Sequence, residues 1–256
     1  MKIVVIGGTG LIGSQVVTRL TEHGHEAVPA APNTGVNSIT GEGVKEALAG
    51  ADVVVDVSNS PSFADQDVLD FFTTSTNTLI AAAKEAGVGH YVALSVVGAD
   101  ELPDSGYLRA KVAQESLIEN SGLPYSIVRA TQFFEFLARI TDEATEGNQV
   151  HLPTAYFQPM AAADVAAVVG RTAAGAPLNG RHEVGGPERF RMADLVRGAL
   201  AAKDDPREVI SDPEAQYFGT VLGESSLAAT AEDAEIAPTH LADWSAARAS
   251  AGATPR

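Results

Sequence analysis

Short apolar runs rich in β-branched residues alternate with helical patterns along the first 130 residues. Strands that are apolar along their whole length are buried on both faces, as in a parallel sheet covered by helices. Gly50, Gly87 and Gly122 stand where helices are expected to end, a position that favours glycine. The pattern therefore predicts an α/β fold with a doubly wound parallel sheet. The predicted strands are 2–6, 26–30, 52–57, 90–94 and 125–129, and the helices are 11–23, 44–49, 64–86 and one that begins near 107.

The periodicity weakens in the second half of the chain. Strands are predicted at 149–152 and 181–184, and helices at 162–173 and 192–202. We assign residues 1–150 to a dinucleotide-binding domain. Residues 151–256 are mostly assigned to a small C-terminal α+β substrate lobe, packed on the carboxyl edge of the sheet, where open α/β sheets bind ligands.

Charge and cysteine content exclude several classes of protein. The 256 residues include 33 acidic and 17 basic side chains and no cysteine, for a net charge of −16. So negative a surface repels phosphate backbones and anionic lipid, and we expect neither nucleic acid nor a membrane as partner. Thiolate metal sites are excluded, and the six histidines lack metal-ligand spacing, so no metal site is predicted. Without a signal-peptide pattern, a cytoplasmic location and a small-molecule substrate are expected, with the oligomeric state left open.

A glycine-rich loop joins the first predicted strand to the first predicted helix. Gly7 precedes the sequence GTGLIG, which has the form G-x-G-x-x-G. In this context glycine permits a tight turn, close backbone approach to a pyrophosphate and tight helix–strand packing. The alternative is a glycine-rich turn without a ligand. The motif predicts cofactor contacts at Gly7, Gly8, Thr9, Gly10, Leu11, Ile12 and Gly13.

The end of the second predicted strand carries no carboxylate for an NAD ribose. Asn33 and Thr34 are therefore candidates to hydrogen-bond a 2′-phosphate, although no Arg or Lys is near them in sequence. We expect NADP(H) to be preferred, with NAD(H) possible. Ser58 and Asn59 follow the third strand, where they either contact the cofactor or form a polar turn before Pro61.

Tyr107 and Lys111 lie one turn apart on the predicted fourth helix. A nearby ammonium lowers the pKa of a phenol, so Tyr107 is a candidate for proton transfer, and Lys111 is a candidate to bind the cofactor ribose. Ser95 ends the preceding strand and is a candidate to hold a substrate oxygen, while Asn77 is a candidate for a proton relay. The alternative for the Tyr/Lys pair is an exposed helix face.

Further segments carry a family resemblance. They are GGTGLIG at 7–13, HYVALS at 90–95, PYSIVRATQF at 124–133, QPM at 158–160, ADVA at 163–166 and HEVGGP at 182–187. Together with Tyr107 and Lys111 they make the chain similar to the short-chain dehydrogenase/reductase superfamily, in particular its atypical NmrA-like branch. The resemblance implies a Rossmann domain with a substrate lobe and NADP(H) or NAD(H) as cofactor. It also implies that Tyr107 donates or accepts the proton, Lys111 positions the ribose and Ser95 polarises a carbonyl.

The resemblance also implies that the segment after the fifth strand passes the nicotinamide. Ala130 and Thr131 are candidate cofactor contacts there. Relatives usually have proline where this chain has Ala130, so the loop is expected to be less rigid. Gln132, Phe133 and Phe134 are either part of the substrate pocket or ordinary packing at a helix start.

These features predict an NAD(P)H-dependent oxidoreductase that transfers a hydride between nicotinamide and a small apolar carbonyl, quinone or activated alkene. The alternative is a non-catalytic dinucleotide sensor of the NmrA-like type that binds a protein partner. An epimerase that cycles its bound cofactor is a third interpretation. The presence of both Tyr107 and Lys111 favours a catalytic function, because sensors of this type typically lack the tyrosine.

Overall fold

The computed structural model of the chain describes residues 1–252. The strands are β1 (Lys2–Ile6), β2 (Glu26–Ala30), β3 (Val53–Asp56), β4 (His90–Val96), β5 (Tyr125–Ala130), β6 (Thr145–Glu146), β7 (Gln149–Leu152), β8 (Tyr156–Phe157), β9 (Gly180–Gly185), β10 (Phe190–Arg191), β11 (Glu208–Ser211), β12 (Gln216–Tyr217), β13 (Thr220–Val221) and β14 (Glu235–Ile236). The helices are α1 (Leu11–Glu22), α2 (Val44–Leu48), α3 (Asp65–Ala86), α4 (Gly106–Glu119), α5 (Leu137–Glu143), α6 (Ala162–Ala174), α7 (Met192–Ala201) and α8 (Leu241–Gly252). Over residues 1–252 none of the helices combines the length and apolar character needed to cross a membrane.

Seven parallel strands form the central sheet, in the order β14-β9-β5-β4-β3-β1-β2. The strand order reverses between β1 and β3, so a crevice opens there at the carboxyl ends of the strands, where doubly wound sheets bind ligands. The predicted α/β fold with a doubly wound Rossmann sheet is confirmed.

Two helical layers cover the sheet, and the side chains of each strand alternate between them. In β1, Ile3 and Val5 pack in the core that includes α1 and α6. Val4 and Ile6 point to the opposite face and pack in the core with α2, α3 and the end of α4. Both faces of the sheet are therefore buried beneath helices, which explains why the strand sequences are almost continuously apolar.

The predicted boundary at residue 150 needs correction. Strand β9 pairs with β5, and β14 pairs with β9, so two strands from the second half extend the central sheet. Helix α6 is the crossover between β5 and β9 and packs on the same face as α1. Parallel strands require such a crossover, because the chain must return from the carboxyl edge of the sheet to the edge where the strands begin.

The lobe is built from two stretches of chain on either side of this crossover. The first contains α5 and β6–β8, and the second contains β10–β13 and α7. A separate apolar cluster holds them together, including Val150, Leu152, Phe157, Met192 and Leu195. Because the cluster also includes Val96 and Leu108, the lobe packs against the carboxyl end of β4 and the start of α4.

Candidate active site

The glycine loop after β1 brings the chain close to the end of β3. Gly7 has φ +76°, and a Cβ on it would lie 3.0 Å from the backbone nitrogen of Ser58. A Cβ on Gly13 would lie 2.2 Å from the carbonyl oxygen of Gly7, so α1 packs directly on the loop. The first turn of α1 has no acidic side chain. The positive end of this helix is thus free to attract an anionic group.

A crevice of about 670 Å³ lies in front of this loop, and its volume falls within the range of small-molecule sites. The predicted residues that line it are Gly7, Thr9, Gly10, Leu11, Ile12, Ser58, Asn59, Ser95, Tyr107, Lys111 and Phe133. Gly8 and Gly13 do not line the crevice. They allow close packing of the loop, since a Cβ on either residue would clash with neighbouring backbone atoms. The structure therefore brings the glycine loop and the Tyr/Lys pair to one continuous space.

The far end of the crevice, beyond β2, differs from the prediction. The Thr34 hydroxyl donates to the Ala31 carbonyl and accepts from the Ala31 amide, both at 2.9 Å, which closes its own turn. Asn33 Oδ1 accepts a hydrogen bond of 3.1 Å from the Thr9 hydroxyl. Neither residue lines the crevice, which is instead bordered by residues 37–39. The expected contact of Thr34 with a 2′-phosphate is thus not supported, because the hydroxyl serves the local backbone.

Lys111 is buried beside the crevice, on α4. Its Nζ donates to the Leu94 carbonyl at 2.9 Å and to Gln114 Oε1, and lies 4.3 Å from the centre of the Phe72 ring. Burial lowers the pKa of Lys111 to about 8, against the opposing effect of the Asp56 and Glu115 carboxylates. An ammonium has three donors, so one remains for a ligand in the crevice.

Tyr107 lies in the first turn of α4, which Ser105 caps by accepting a hydrogen bond from the Leu108 amide. Burial raises the pKa of Tyr107 to about 12, only partly opposed by the charge of Arg139. This is opposite to the expected lowering of its pKa by Lys111. The physical reason is the apolar surroundings of the ring, whose centre lies 5.3 Å from that of Phe63 and 5.6 Å from that of Phe218.

A buried carboxylate that the sequence did not identify lies behind Lys111. Asp56 is 1% exposed and accepts hydrogen bonds from the Ser58 amide at 3.0 Å and hydroxyl at 2.6 Å. Its other oxygen accepts from the Tyr91 hydroxyl at 3.3 Å and from Gln114 Nε2 at 3.0 Å. A hydrogen-bonded chain therefore runs from Ser58 through Asp56 and Gln114 to Lys111. In the sequence Asp56 is only a polar residue near the end of a predicted strand. Its position in the site becomes evident only from its contact with Gln114 on α4.

A smaller cavity of about 130 Å³ adjoins the crevice and lies between the sheet and the lobe. Its aromatic walls are Phe63, Tyr107, Phe133, Phe136, Tyr217 and Phe218. The Arg139 guanidinium lies 4.4 Å from the centre of the Phe63 ring and pairs with Glu143 at 2.7 Å. Ser95 and Tyr107 line both the crevice and the cavity, so they stand where the two meet.

Three residues that line this cavity have buried polar atoms without a hydrogen-bond partner within the described part of the chain. The atoms are Ser95 Oγ, Thr131 Oγ1, Gln132 Nε2 and Gln132 Oε1. Ala130 and Thr131 line the cavity rather than the crevice in front of the glycine loop. Because buried polar groups are nearly always paired, these atoms indicate a space that a polar ligand completes.

Two predicted site residues lie elsewhere. Asn77 is on the exposed face of α3, where its Nδ2 donates to the Thr73 carbonyl at 2.8 Å. Phe134 is 1% exposed and packs against Trp244, with ring centres 5.1 Å apart. Phe134 begins a short 3-10 turn and is not among the residues that line the aromatic cavity. A proton relay through Asn77 and a pocket role for Phe134 are therefore corrected.

The fold and the glycine loop define a dinucleotide-binding protein of the Rossmann type. A family model described as NAD(P)H-binding matches residues 7–174, about two thirds of the chain, so the chain belongs to this family. The resemblance to atypical, NmrA-like short-chain dehydrogenase/reductases is confirmed.

Curated relatives match the first part of the chain. The photosystem II assembly factor Ycf39 of Cyanophora paradoxa is 28% identical over 151 residues, which cover 54% of this chain and 47% of that protein. The isoflavone reductase homolog IRL of Zea mays is 30% identical over 163 residues, covering 53% and 50%. The chain thus spans about half the length of the curated relatives it matches.

Solved structures share the fold over most of the chain. MoeE5 in complex with UDP-glucuronic acid and NAD superposes with a TM-score of 0.73 at 18% identity, covering 95% of this chain and 96% of that one. The NADPH-dependent quinone oxidoreductase QOR2 of Escherichia coli, complexed with NADPH, has a TM-score of 0.64 at 20% identity, covering 82% and 77%.

Proposed function

We propose that the chain is an NAD(P)H-dependent oxidoreductase that transfers a hydride between nicotinamide and a small apolar carbonyl, quinone or activated alkene. The observation that carries the proposal is that Tyr107 and Ser95 stand where the crevice and the aromatic cavity meet, with Lys111 in the lining of the crevice. The crevice is suited to the cofactor and the cavity to the substrate.

The residues present fit a dinucleotide. The glycine loop and the N-terminus of α1 suit the phosphates of the dinucleotide, because backbone N–H groups and the helix dipole favour negative charge there. No acidic side chain in the first turn of α1 opposes this attraction. The remaining N–H of Lys111 suits the ribose hydroxyls, and Ser58 and Asn59 line the same wall. When bound, the nicotinamide supplies or accepts the hydride.

Tyr107 serves as the proton donor in the reductive direction. With a pKa of about 12 it keeps its proton at neutral pH, ready for the more basic oxygen that forms when a carbonyl carbon gains a hydride. The products are an alcohol and a phenolate, and the positive charge of Arg139 favours the phenolate until water restores the proton. The Ser95 hydroxyl, which has no hydrogen-bond partner within residues 1–252, holds the substrate oxygen. The oxidative direction reverses these transfers.

We further propose a modest preference for NADP(H) over NAD(H). Support comes from the absence of any carboxylate among the described residues that line the far end of the crevice. Asn37 and Ser38 offer neutral hydrogen-bond donors there, and Lys111 is the one basic side chain in the described crevice lining. Because neutral donors compensate a phosphate less than a guanidinium does, the dissociation constants of NADPH and NADH should differ by less than about tenfold.

A non-catalytic dinucleotide sensor with a protein partner is the second candidate function. It is favoured by the photosystem II assembly factors among the relatives.

Turnover distinguishes the oxidoreductase from the sensor. NADPH oxidation should be measured across a panel of aldehydes, ketones and quinones, with Tyr107→Phe beside wild type. We expect Tyr107→Phe to lower turnover by about 10²- to 10⁴-fold and to change the dissociation constant of NADPH less than twofold. Tyr125→Phe, at the opposite end of the sheet, is the matched control. Tight NADPH binding without turnover of any panel member contradicts the proposal and favours the sensor.

A further inference from the structure

Gln132 lines the aromatic cavity and carries a buried amide without a hydrogen-bond partner within the described residues. The residue is 8% exposed, and neither its Nε2 nor its Oε1 has a hydrogen-bond partner within the described part of the chain. A buried primary amide without partners is costly because it has given up its hydrogen bonds to water. A ligand that pairs with both atoms removes this cost.

The backbone holds Gln132 in place. Its carbonyl accepts a hydrogen bond of 2.9 Å from the Met160 amide, and Phe134 donates to the Met160 carbonyl at 3.0 Å. On the other side, Thr131 donates to the Val184 carbonyl of β9 at 3.0 Å. The segment is thus tied to the central sheet, which fixes the backbone position of Gln132 beside the cavity.

We propose that Gln132 determines substrate specificity by recognising a planar ring that presents a hydrogen-bond donor and an acceptor side by side, next to its reducible carbonyl. The proposal rests on the function proposed above for this site. A primary amide offers one acceptor and two donors, so it pairs with a lactam or an adjacent hydroxyl and carbonyl through two parallel hydrogen bonds. The aromatic walls contributed by Phe63, Phe133 and Phe218 suit the ring faces, and Ser95 and Tyr107 remain for the reducible carbonyl.

The carboxamide of a bound nicotinamide presents the same donor and acceptor pair. Gln132 and Thr131 line the cavity, however, and do not line the crevice that contains the glycine loop and Lys111. This placement favours the substrate, and not the nicotinamide, as the partner of the Gln132 amide. The experiment below distinguishes substrate binding from cofactor binding.

The test compares isatin with N-methylisatin. Isatin has a ketone next to a lactam, and its N-methyl derivative lacks only the N–H donor. Binding of each is measured by calorimetry to protein saturated with NADP⁺, so the result does not depend on turnover. Wild type should bind isatin at least tenfold more tightly, because the methyl compound leaves Oε1 unpaired. Gln132→Leu should bind the two within about threefold of each other.

The control variant is Gln149→Leu, which changes an exposed glutamine on β7 and should keep the wild-type ratio. Equal affinity of wild type for the two compounds, or binding of neither, overturns the proposal. A tenfold or greater loss of NADP⁺ affinity in Gln132→Leu assigns the amide to the cofactor and also overturns it. The proposed function is judged separately, since turnover of both isatins at equal rates retains the reductase and removes only the role of Gln132.

Discussion

Lys111 and Tyr107 are each pushed towards their neutral forms by burial, which leaves the site with an ammonium that is easily lost and a phenol that keeps its proton. The pKa of Lys111 falls to about 8 and that of Tyr107 rises to about 12. The Asp56 carboxylate, joined to Lys111 through Gln114, raises the pKa of Lys111 and so limits the fall. The charge of the site at neutral pH therefore depends on a residue that touches neither ligand space.

The first prediction concerns stability. Because the pKa of Lys111 is about 8 in the folded chain and near 10.5 when unfolded, the unfolded chain binds more protons between these values. The free energy of unfolding should therefore rise with pH in this window, by up to about 2 kcal/mol between roughly pH 7 and 9.5. Denaturant unfolding of wild type and Lys111→Met at several pH values measures the effect. The variant should lack this rise, and parallel pH profiles of the two chains contradict the assignment.

The second prediction concerns Asp56. Asp56→Asn removes the carboxylate that favours the charged form of Lys111, so the pKa of Lys111 should fall below about 8. NADPH affinity should then decline at lower pH than in wild type, by about one pH unit. Fluorescence titration of NADPH binding from acid to alkaline pH gives the two midpoints. Asp70→Asn, an exposed change on α3, is the control and should leave the midpoint in place. Identical midpoints for wild type and Asp56→Asn remove the carboxylate from this role.

At the scale of elements, a short hairpin completes the aromatic cavity. Strands β12 and β13 are joined by Phe218 and Gly219, with φ of +48° and +80°. Two-residue hairpins with positive φ at both positions favour Asn-Gly, and a phenylalanine there is strained. In this turn the centre of the Phe218 ring lies 5.6 Å from that of Tyr107. Strain at such a position is typical of functional sites.

The third prediction follows from this turn. Phe218→Asn should weaken binding of a ring substrate at least tenfold, because a wall of the cavity is lost. NADPH affinity should stay within twofold, since Phe218 does not line the crevice. Relief of strain offsets part of the lost ring packing, so the free energy of unfolding should change by less than about 1 kcal/mol. Val221→Asn is an exposed change in the same hairpin and serves as the control. Unchanged substrate affinity in Phe218→Asn contradicts the cavity assignment.

Sequence periodicity predicted most elements, because strands buried on both faces and amphipathic helices carry strong local signals. It also placed Tyr107 and Lys111 together, since four-residue spacing on a helix needs no tertiary information. Phe218 and Asp56 were missed because their roles depend on contacts with α4, which lies far from both in sequence. Asn77 was wrongly included because the direction of a helical side chain depends on which face packs against the sheet. The boundary at residue 150 failed because pairing of β9 with β5 has no local signature.

At the scale of the whole molecule, the charge of −16 acts against an anionic cofactor. Long-range repulsion lowers the rate at which NADPH reaches the crevice, whereas the helix start and Lys111 attract it only at short range. Added salt screens the long-range field first, because the Debye length falls from about 30 Å at 0.01 M to about 10 Å at 0.1 M. The balance of these effects therefore decides the sign of the salt dependence.

The last prediction is that added salt accelerates NADPH association. Between about 10 and 150 mM KCl the association rate constant should rise by about two- to fivefold, as expected for screening of like charges. NADH, which lacks the 2′-phosphate, should show a smaller rise under the same conditions and is the matched control. Stopped-flow fluorescence of the bound nucleotide measures both rate constants. A rate constant that falls with salt shows that the local positive potential at α1 and Lys111 outweighs the net charge, and contradicts the prediction.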